Sequence, residues 1–218
     1  MNLLLGGGIR TGMITDLFGE SGSGKTQLCF TLCSNCVKQY DSKVIFIDTA
    51  GTFRPERVAE ISRSSNPLDR IVLFRTLSSF DQVSVIDKVL RLDPKLVIID
   101  SLTSLFSVEY IGPSRHVAIM HHLHELSLLA INLDCAVVVT NMVRNAPITI
   151  ADLRGVNIAT AFTPSEQREF IGTSVSIYSH MKLKLEIRDP SNAAFKALLI
   201  QPPGKEAKFT ITRKGISD

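Results

Sequence analysis

With 218 residues, 44% of them hydrophobic and 21% charged, the chain has the length and composition of one globular domain. No apolar run is long enough for a membrane-spanning helix, and the amino-terminal residues do not resemble a secretory signal. We therefore expect a cytoplasmic protein, or a nuclear one in a eukaryote, with no membrane partner. The net charge is +3, but residues 180–218 carry eight Lys/Arg against four Asp/Glu, which favours either a polyanionic partner or a solvated β-hairpin face.

Strands and helices are predicted to alternate along the first 141 residues. Continuous β-branched runs indicate strands at 13–19, 43–48, 71–75, 95–100 and 135–141, and helical periods indicate helices at 25–39, 55–64, 79–91 and 115–132. Strands of this kind, separated by helices, are typical of a parallel sheet covered on both faces. Residues 142–171 have no clear period and are predicted to form a long functional loop, followed by further strands joined by turns. We expect a single α/β domain spanning residues 1–218.

The stretch GESGSGKT follows the first predicted strand and matches the phosphate-binding pattern G-x-x-x-x-G-K-[ST] completely. Glycines allow backbone torsions that direct successive N–H groups at phosphate oxygens, and the next helix presents its positive end. Lys25 is expected to reach the outer phosphates and the Thr26 hydroxyl to ligate Mg²⁺. The motif predicts a nucleoside triphosphate site formed by Gly19, Glu20, Ser21, Gly22, Ser23, Gly24, Lys25, Thr26 and Gln27.

A second Mg²⁺ contact is predicted at Asp100, which ends the apolar run LVIID and is expected to act through water. An apolar strand that ends in aspartate carries little information alone. The presence of the phosphate loop earlier in the chain, at this distance from Asp100, strengthens the prediction that Asp100 contacts Mg²⁺.

Two groups of cysteines or histidines suggest metal sites. The cysteines are Cys29, Cys33, Cys36 and Cys135, and the histidines lie in RHVAIMHHLHEL at residues 115–126. The C-x-x-C spacing falls inside a predicted helix, so we expect reduced, partly buried thiols. His121 and His124 with Glu125 could form a zinc site, but the apolar face of this helix is already defined by leucine, isoleucine and alanine. The histidines are therefore expected to face solvent or a partner.

Several segments together resemble the RecA-type recombinases, and most closely the archaeal RadA branch and its eukaryotic counterpart. They are GGGIRTGMITDLFGESGSGKTQL, IDTAGTFRPERV, IIDSLTSLF, VVVTNMV and KFTITRKGISD, so that the resemblance covers nearly the whole chain. It implies a RecA-like P-loop ATPase core, with a mostly parallel central sheet flanked by helices and antiparallel strands toward the C-terminus. Full recombinases of this kind bind ATP between neighbouring subunits of a filament on single-stranded DNA. The resemblance thus implies ATP and Mg²⁺ as cofactors and single-stranded DNA as a partner.

The resemblance also assigns roles to individual positions. Arg57 would lie against the adenine, where a planar guanidinium suits stacking, and Gln201–Pro203 would occupy the region that caps a neighbour's nucleotide. Residues 109–115 resemble the first DNA-binding loop and residues 143–171 the second. The candidate DNA phosphate contacts are Arg115, Arg144, Arg154 and Arg168.

Two departures from the family pattern concern ATP hydrolysis. The family usually has glutamate where this chain has Ala50, and that glutamate polarises the attacking water. A methyl group cannot do so, and a positioned base contributes about 10²–10⁴-fold to rate. Glu20 or Asp48 remain candidates to replace it in part. Met142 stands where the family has the glutamine that senses the γ-phosphate, so coupling between nucleotide and DNA is expected to be altered.

Two further departures concern assembly. Pro113 replaces an arginine of the first DNA loop, which is about one helical turn shorter here, and Arg115 is a partial substitute. The chain begins almost at the core, so we expect no N-terminal helical DNA-binding domain, no subunit-hooking linker and weak self-association. Small core-only paralogues such as archaeal RadB have this plan.

The sequence leaves three functional hypotheses. The first is an ATP-binding recombinase paralogue with impaired hydrolysis that binds single-stranded DNA and assists or regulates a RadA-type recombinase or another repair protein. The second is an active DNA-dependent ATPase and strand-exchange recombinase. The third is a RecA-fold signalling ATPase that does not use DNA, which the resemblance disfavours.

Overall fold

The computed structural model describes residues 7–63, 66–145, 167–189 and 191–217. Within these ranges ten strands, six α-helices and one 3-10 turn are formed. In chain order they are β1 (Met13–Gly19), α1 (Lys25–Gln39), β2 (Val44–Asp48), α2 (Pro55–Ser62), the 3-10 turn (Pro67–Arg70), β3 (Ile71–Arg75), α3 (Ser79–Leu90), β4 (Leu96–Asp100), α4 (Ser104–Glu109), α5 (Pro113–Asn132), β5 (Ala136–Asn145), β6 (Gln167–Glu169), α6 (Gly172–Tyr178), β7 (Ser179–Asp189), β8 (Ala194–Gln201), β9 (Lys205–Thr212) and β10 (Gly215–Ser217).

One large sheet organises the described residues, in the order β10-β9-β8-β7-β1-β5-β4-β2-β3, with β6 paired to β5. Neighbouring strands are parallel along the part of the sheet that runs β7-β1-β5-β4-β2-β3. They are antiparallel along the part that runs β10-β9-β8-β7. The expected α/β fold, mostly parallel with antiparallel strands toward the C-terminus, is confirmed.

Burial on both faces explains why the central strands read as continuous apolar runs. Every residue of β2 and β4 is buried. On one face, α1 and α2 pack against the sheet around Phe30, Phe46 and Phe53, whose ring centroids lie 4.8–5.8 Å apart. On the other face, α3, α4 and α5 form a second core cluster. Parallel strands need this double cover, because neither face of such a sheet is solvated.

The predicted loops differ from the observed ones. β5 continues to Asn145 and β6 spans Gln167–Glu169, so the predicted long loop at 142–171 contains strand residues near both ends. Gly172–Tyr178 is a helix, where the sequence predicted the first of the further strands. The predicted loop at 109–115 is also wrong in extent, because α4 ends at Glu109 and α5 already begins at Pro113. The three residues of β6 are too few to leave a periodic signal. Pro113 was placed in the loop, although proline is favoured in the first turn of a helix, where it begins α5.

The predictions for cysteine and histidine had different outcomes. All four cysteines are free and buried, as expected. His122, however, is fully buried, with its ring centroid 5.6 Å from that of Phe106 and a hydrogen bond to Gln82, so the prediction that the histidines face solvent was wrong there. The described residues hold no group of three His, Cys, Asp or Glu suited to a metal.

Among the residues that the structure describes, no helix is both long and apolar enough to span a membrane.

Candidate nucleotide site and adjoining arginine cluster

The carboxyl ends of neighbouring parallel strands meet at one edge of the sheet. β1 ends at Gly19, which is in register with Met142 of β5. β2 ends at Asp48, which is in register with Asp100 at the end of β4. Open α/β sheets bind ligands at this edge, so the topology brings the sequence-predicted phosphate and metal residues together.

The phosphate loop between β1 and α1 depends on glycine at two positions. A Cβ on Gly19 would lie 2.2 Å from the carbonyl oxygen of Leu185 and 2.8 Å from Ser23 Oγ, so a side chain there would collide with backbone. Gly24 has φ 94° and is the N-cap of α1, a left-handed conformation that favours glycine. The first N–H groups of α1 have no partners within the helix and are available to an anion.

Lys25 occupies the inside of this loop. Its Nζ donates to the carbonyl oxygens of Gly19 and Glu20, each at 2.8 Å, and lies 3.5 Å from Ser23 Oγ. Partial burial lowers the pKa of Lys25, an effect that the nearby Asp100 carboxylate opposes. A partly desolvated ammonium held among carbonyl oxygens can exchange them for phosphate oxygens, so this loop fits a triphosphate.

Asp100 links the loop to the central strands. Its Oδ2 accepts a hydrogen bond from Thr26 Oγ1 at 2.7 Å, and its Oδ1 accepts one from Thr140 Oγ1 at 2.5 Å. The carboxylate is 5% exposed. Hydroxyl and carboxylate oxygens are the ligand types that Mg²⁺ prefers. The side chains therefore fit the predicted magnesium site at Thr26 and Asp100.

A cavity of about 520 Å³ adjoins these groups. Its lining includes most of the predicted phosphate loop and the ends of β4 and β5, namely Ser21, Gly22, Gly24, Lys25, Thr26, Gln27, Asp100, Ser101, Thr140, Asn141, Met142, Val143 and Ile211. This volume is within the range of roughly 300–1,000 Å³ that small-molecule sites occupy.

The segment after β2 carries Ala50 and is held by a buried aspartate. Asp48 is fully buried, and its carboxylate accepts the N–H groups of Ala50, Thr52 and Phe53 at 3.0–3.3 Å. The segment is tied to β4 because Thr49 N donates to Asp100 O at 3.0 Å. Ala50 itself is exposed and offers a methyl group. The backbone is thus well ordered at a position that has no acid.

Arg57 lies on α2, with its guanidinium occupied by protein partners. Its Nε donates to Gln27 Oε1 at 2.9 Å, its Nη1 contacts Glu60 at 2.5 Å, and its Nη2 donates to Thr212 O at 2.5 Å. The contacts to Gln27 place Arg57 beside the start of α1. The structure therefore brings Arg57 and Gln27 together next to the phosphate loop, but it leaves the predicted adenine contact untested.

Three of the four predicted DNA arginines converge next to this edge. Arg144 on β5 is directly opposite Arg168 on β6 in the antiparallel pair. Arg144 Cζ lies 4.0 Å, and Arg115 Cζ 5.4 Å, from the ring centroid of Phe170. Arg154 lies outside the described residues.

Two further segments were singled out by sequence, the predicted nucleotide-capping stretch and the basic C-terminal segment. Gln201, of the predicted nucleotide-capping stretch, ends β8 and donates from Nε2 to Ser179 O at 2.9 Å. In the basic segment, Lys182, Lys184 and Lys196 are each paired with a glutamate. Lys182 is buried, so it belongs to neither a solvated face nor a polyanion surface. The ion pairs of Lys184 and Lys196 favour the solvated-hairpin interpretation for these two lysines.

Sequence analysis missed the residues that connect the site. Asn141 is fully buried, and its Nδ2 donates to Glu169 Oε1 at 3.0 Å and to Phe170 O at 2.8 Å. The Glu169 carboxylate also accepts from the buried Lys182, at 2.5 Å. A polar Thr-Asn pair at the end of a continuous apolar strand was the available signal, because buried polar side chains need partners.

Comparison with known proteins agrees with this architecture. A family model described as Rad51 matches residues 1–218. The chain is 33% identical, over an alignment of 238 residues, to the DNA repair and recombination protein RadA of Cenarchaeum symbiosum, covering 100% of this chain and 56% of that protein. It is 39% identical over 162 residues to the DNA repair and recombination protein RadA of Aeropyrum pernix, covering 66% of this chain and 51% of that protein. The chain thus spans about half the length of these curated relatives. The match along the whole chain confirms the resemblance to RecA/RadA-type recombinases, and we conclude that the chain belongs to the Rad51 family.

Proposed function

We propose that this chain binds ATP and Mg²⁺ at the carboxyl edge of its parallel sheet, contacts single-stranded DNA, and acts in DNA repair and homologous recombination. The observation that carries the proposal is the convergence of Lys25, Thr26 and Asp100 on one cavity of about 520 Å³. The loop from Gly19 to Gln27 would hold the phosphates, and Thr26 with Asp100 would hold the magnesium. Magnesium would neutralise phosphate charge when bound. We also propose that residues 1–218 act as one ATPase core domain.

Hydrolysis is proposed to be weak, because the ordered segment after β2 offers Ala50 where an acid is needed. Asp48, the nearest acid in sequence, is fully buried and committed to three backbone N–H groups, which argues against its acting as a substitute base. ATP then serves as a conformational ligand, which favours the shape or interface that it binds better. This reasoning favours a paralogue that assists or regulates a RadA-type recombinase over an active strand-exchange enzyme. The two relatives, both named DNA repair and recombination protein RadA, support the choice of DNA repair and recombination as the process.

Binding and turnover measured on the same protein test the proposal. We expect a fluorescent ATP analogue to bind with Mg²⁺, and steady-state phosphate release to stay far below that of a RadA protein assayed in parallel, with or without single-stranded DNA. Turnover equal to that of RadA would contradict impaired hydrolysis and favour the active recombinase. Failure to bind ATP would contradict the nucleotide site itself.

The assisting role needs a second assay. Adding this protein to a RadA strand-exchange reaction is expected to change its rate or extent, while the Lys25→Ala variant is expected to have no effect. An unchanged reaction at saturating amounts of wild-type protein would contradict the proposed role.

A further inference from the structure

Phe170 joins three segments that are far apart in sequence. It directly follows β6, whereas Arg144 belongs to β5 and Arg115 to the first turns of α5. Both guanidiniums lie over the Phe170 ring, with Cζ at 4.0 Å and 5.4 Å from its centroid. A guanidinium attracted to an aromatic face loses rotational freedom, so the ring sets the direction in which its N–H groups point.

Arg115 and Arg144 differ in how many guanidinium N–H groups their protein contacts leave available to a ligand. Arg115 donates from Nε and Nη2 to the Tyr110 carbonyl at 2.8 and 2.5 Å, and from Nη2 to Ser107 O at 3.2 Å. These bonds fix Arg115 at the C-terminal end of α4, and they do not use Nη1. Arg144 is exposed and stacks more closely on the ring. Arg144 therefore has the greater capacity to contact a phosphate.

Charge at this position favours an anionic partner. Arg144 and Arg168 are directly opposite each other on the β5–β6 pair, which places two positive charges at one position of this ribbon. Arg115 adds a third positive charge beside the same ring. The phosphates of a nucleic-acid backbone would neutralise these positive charges, and the counterions released from the phosphates would favour binding.

The backbone of Phe170 is attached to the wall of the nucleotide cavity. Its N–H donates to Met142 O at 2.8 Å, and its carbonyl oxygen accepts from Asn141 Nδ2 at 2.8 Å. Asn141 and Met142 both line the cavity. The arginine cluster is therefore held in a defined position relative to the nucleotide site.

We propose that Phe170 is a positioning residue for single-stranded DNA, whose ring aligns Arg144 and Arg115 toward the sugar–phosphate backbone; this inference rests on the DNA binding proposed above. The ring acts through the guanidiniums. The bases are consequently not stacked on it, and binding depends on phosphate spacing more than on sequence.

The test measures binding of the full chain to a fluorescent oligothymidylate by anisotropy, over a series of salt concentrations. Phe170→Leu is expected to weaken binding by roughly three- to tenfold and to lower the salt slope by about one phosphate contact. Phe170→Tyr, which keeps the ring, is expected to bind like wild type. Arg91→Gln, a charge removed at the opposite edge of the sheet where α3 ends, is the matched control and is expected to retain the salt slope.

The outcomes separate the inference from the proposed function. If the wild-type chain does not bind the oligonucleotide at low salt, DNA binding and the role of Phe170 are both overturned. If wild type binds and Phe170→Leu binds equally well, only the role of Phe170 is overturned. If Phe170→Leu also fails to bind the ATP analogue, its fold is damaged. The Arg144→Lys variant then tests the role of Phe170 in its place. That variant keeps the charge and loses the planar stacking, so threefold weaker binding supports the inference and unchanged binding overturns it.

Discussion

The phosphate-loop side of the nucleotide cavity and the ends of β2 and β5 have contrasting chemistry. On the loop side, Lys25, Thr26 and Asp100 line the cavity with charged and hydroxyl groups, and Thr26 is hydrogen-bonded to Asp100. The end of β5 presents the Met142 thioether to the cavity, and the segment after β2 carries an exposed methyl group at Ala50 on a backbone held by Asp48. Under the proposed function, gripping a triphosphate and cutting it depend on different residues. One function can therefore be kept while the other is lost.

Restoring an acid at the end of β2 is expected to have the largest effect. Ala50→Glu should raise ATP hydrolysis by about 10²–10⁴-fold, because a positioned base contributes that much to rate. Affinity for ATP should change little, since the loop side is untouched. The comparison is phosphate release by Ala50→Glu and by the isosteric Ala50→Gln. Equal rates for the two variants would show that the site lacks more than its base.

Removing the loop ammonium tests the opposite side. Lys25→Ala should weaken binding of a fluorescent ATP analogue by roughly 30- to 150-fold, or about 2–3 kcal/mol, because a charge-assisted contact to phosphate is lost. Lys38→Ala is the control, because Lys38 lies on the same helix but is exposed near its end. Both variants are titrated with the fluorescent ATP analogue. Equal affinities for Lys25→Ala and Lys38→Ala would contradict the assignment of Lys25 to the phosphates.

Acid is expected to weaken the framework that both sides share. Burial lowers the pKa of His122 to about 3, so the folded protein keeps this imidazole neutral while the unfolded chain titrates near 6.5. Stability from this group is full above pH 6.5 and falls as the pH drops toward 3, by on the order of 1 kcal/mol per pH unit at most. Urea unfolding measured at several pH values checks this.

The matched variants for that experiment lie side by side on α5. His122→Met should remove this part of the pH dependence. His121→Ala, at an exposed position, should keep most of it, because burial is the larger cause of the lowered pKa of His122 and the charge of His121 the smaller one. The same slope in wild type and His122→Met would show that other groups govern acid unfolding.

The smallest expected effect is at the end of β5. Met142→Gln replaces a thioether that lines the cavity with an amide that can donate a hydrogen bond to a phosphate oxygen. We expect ATP to bind about three- to tenfold more tightly, in line with about 1 kcal/mol for one added hydrogen bond. Met142→Leu controls for shape. Tightening in both variants would point to packing in place of the amide.

The sequence by itself determined the parts of this protein that local chemistry encodes. β1, α1 and β3 have the predicted bounds, because a continuous apolar run or a helical period reports burial directly. The phosphate loop was also predictable, since its glycines are required by torsion and close contact. The absence of an acid at Ala50 is visible in the sequence.

Only the tertiary structure decided which side chains meet. Arg57 donates to the carbonyl oxygen of Thr212, 155 residues away, and His122 is buried against Gln82 of another helix. Phe170 gathers Arg115 and Arg144 from two other elements. These partners depend on strand order and helix packing, which bring distant segments together through contacts that no local period records. Periodicity specifies which face of an element is buried, and the assembled sheet determines what that face contacts.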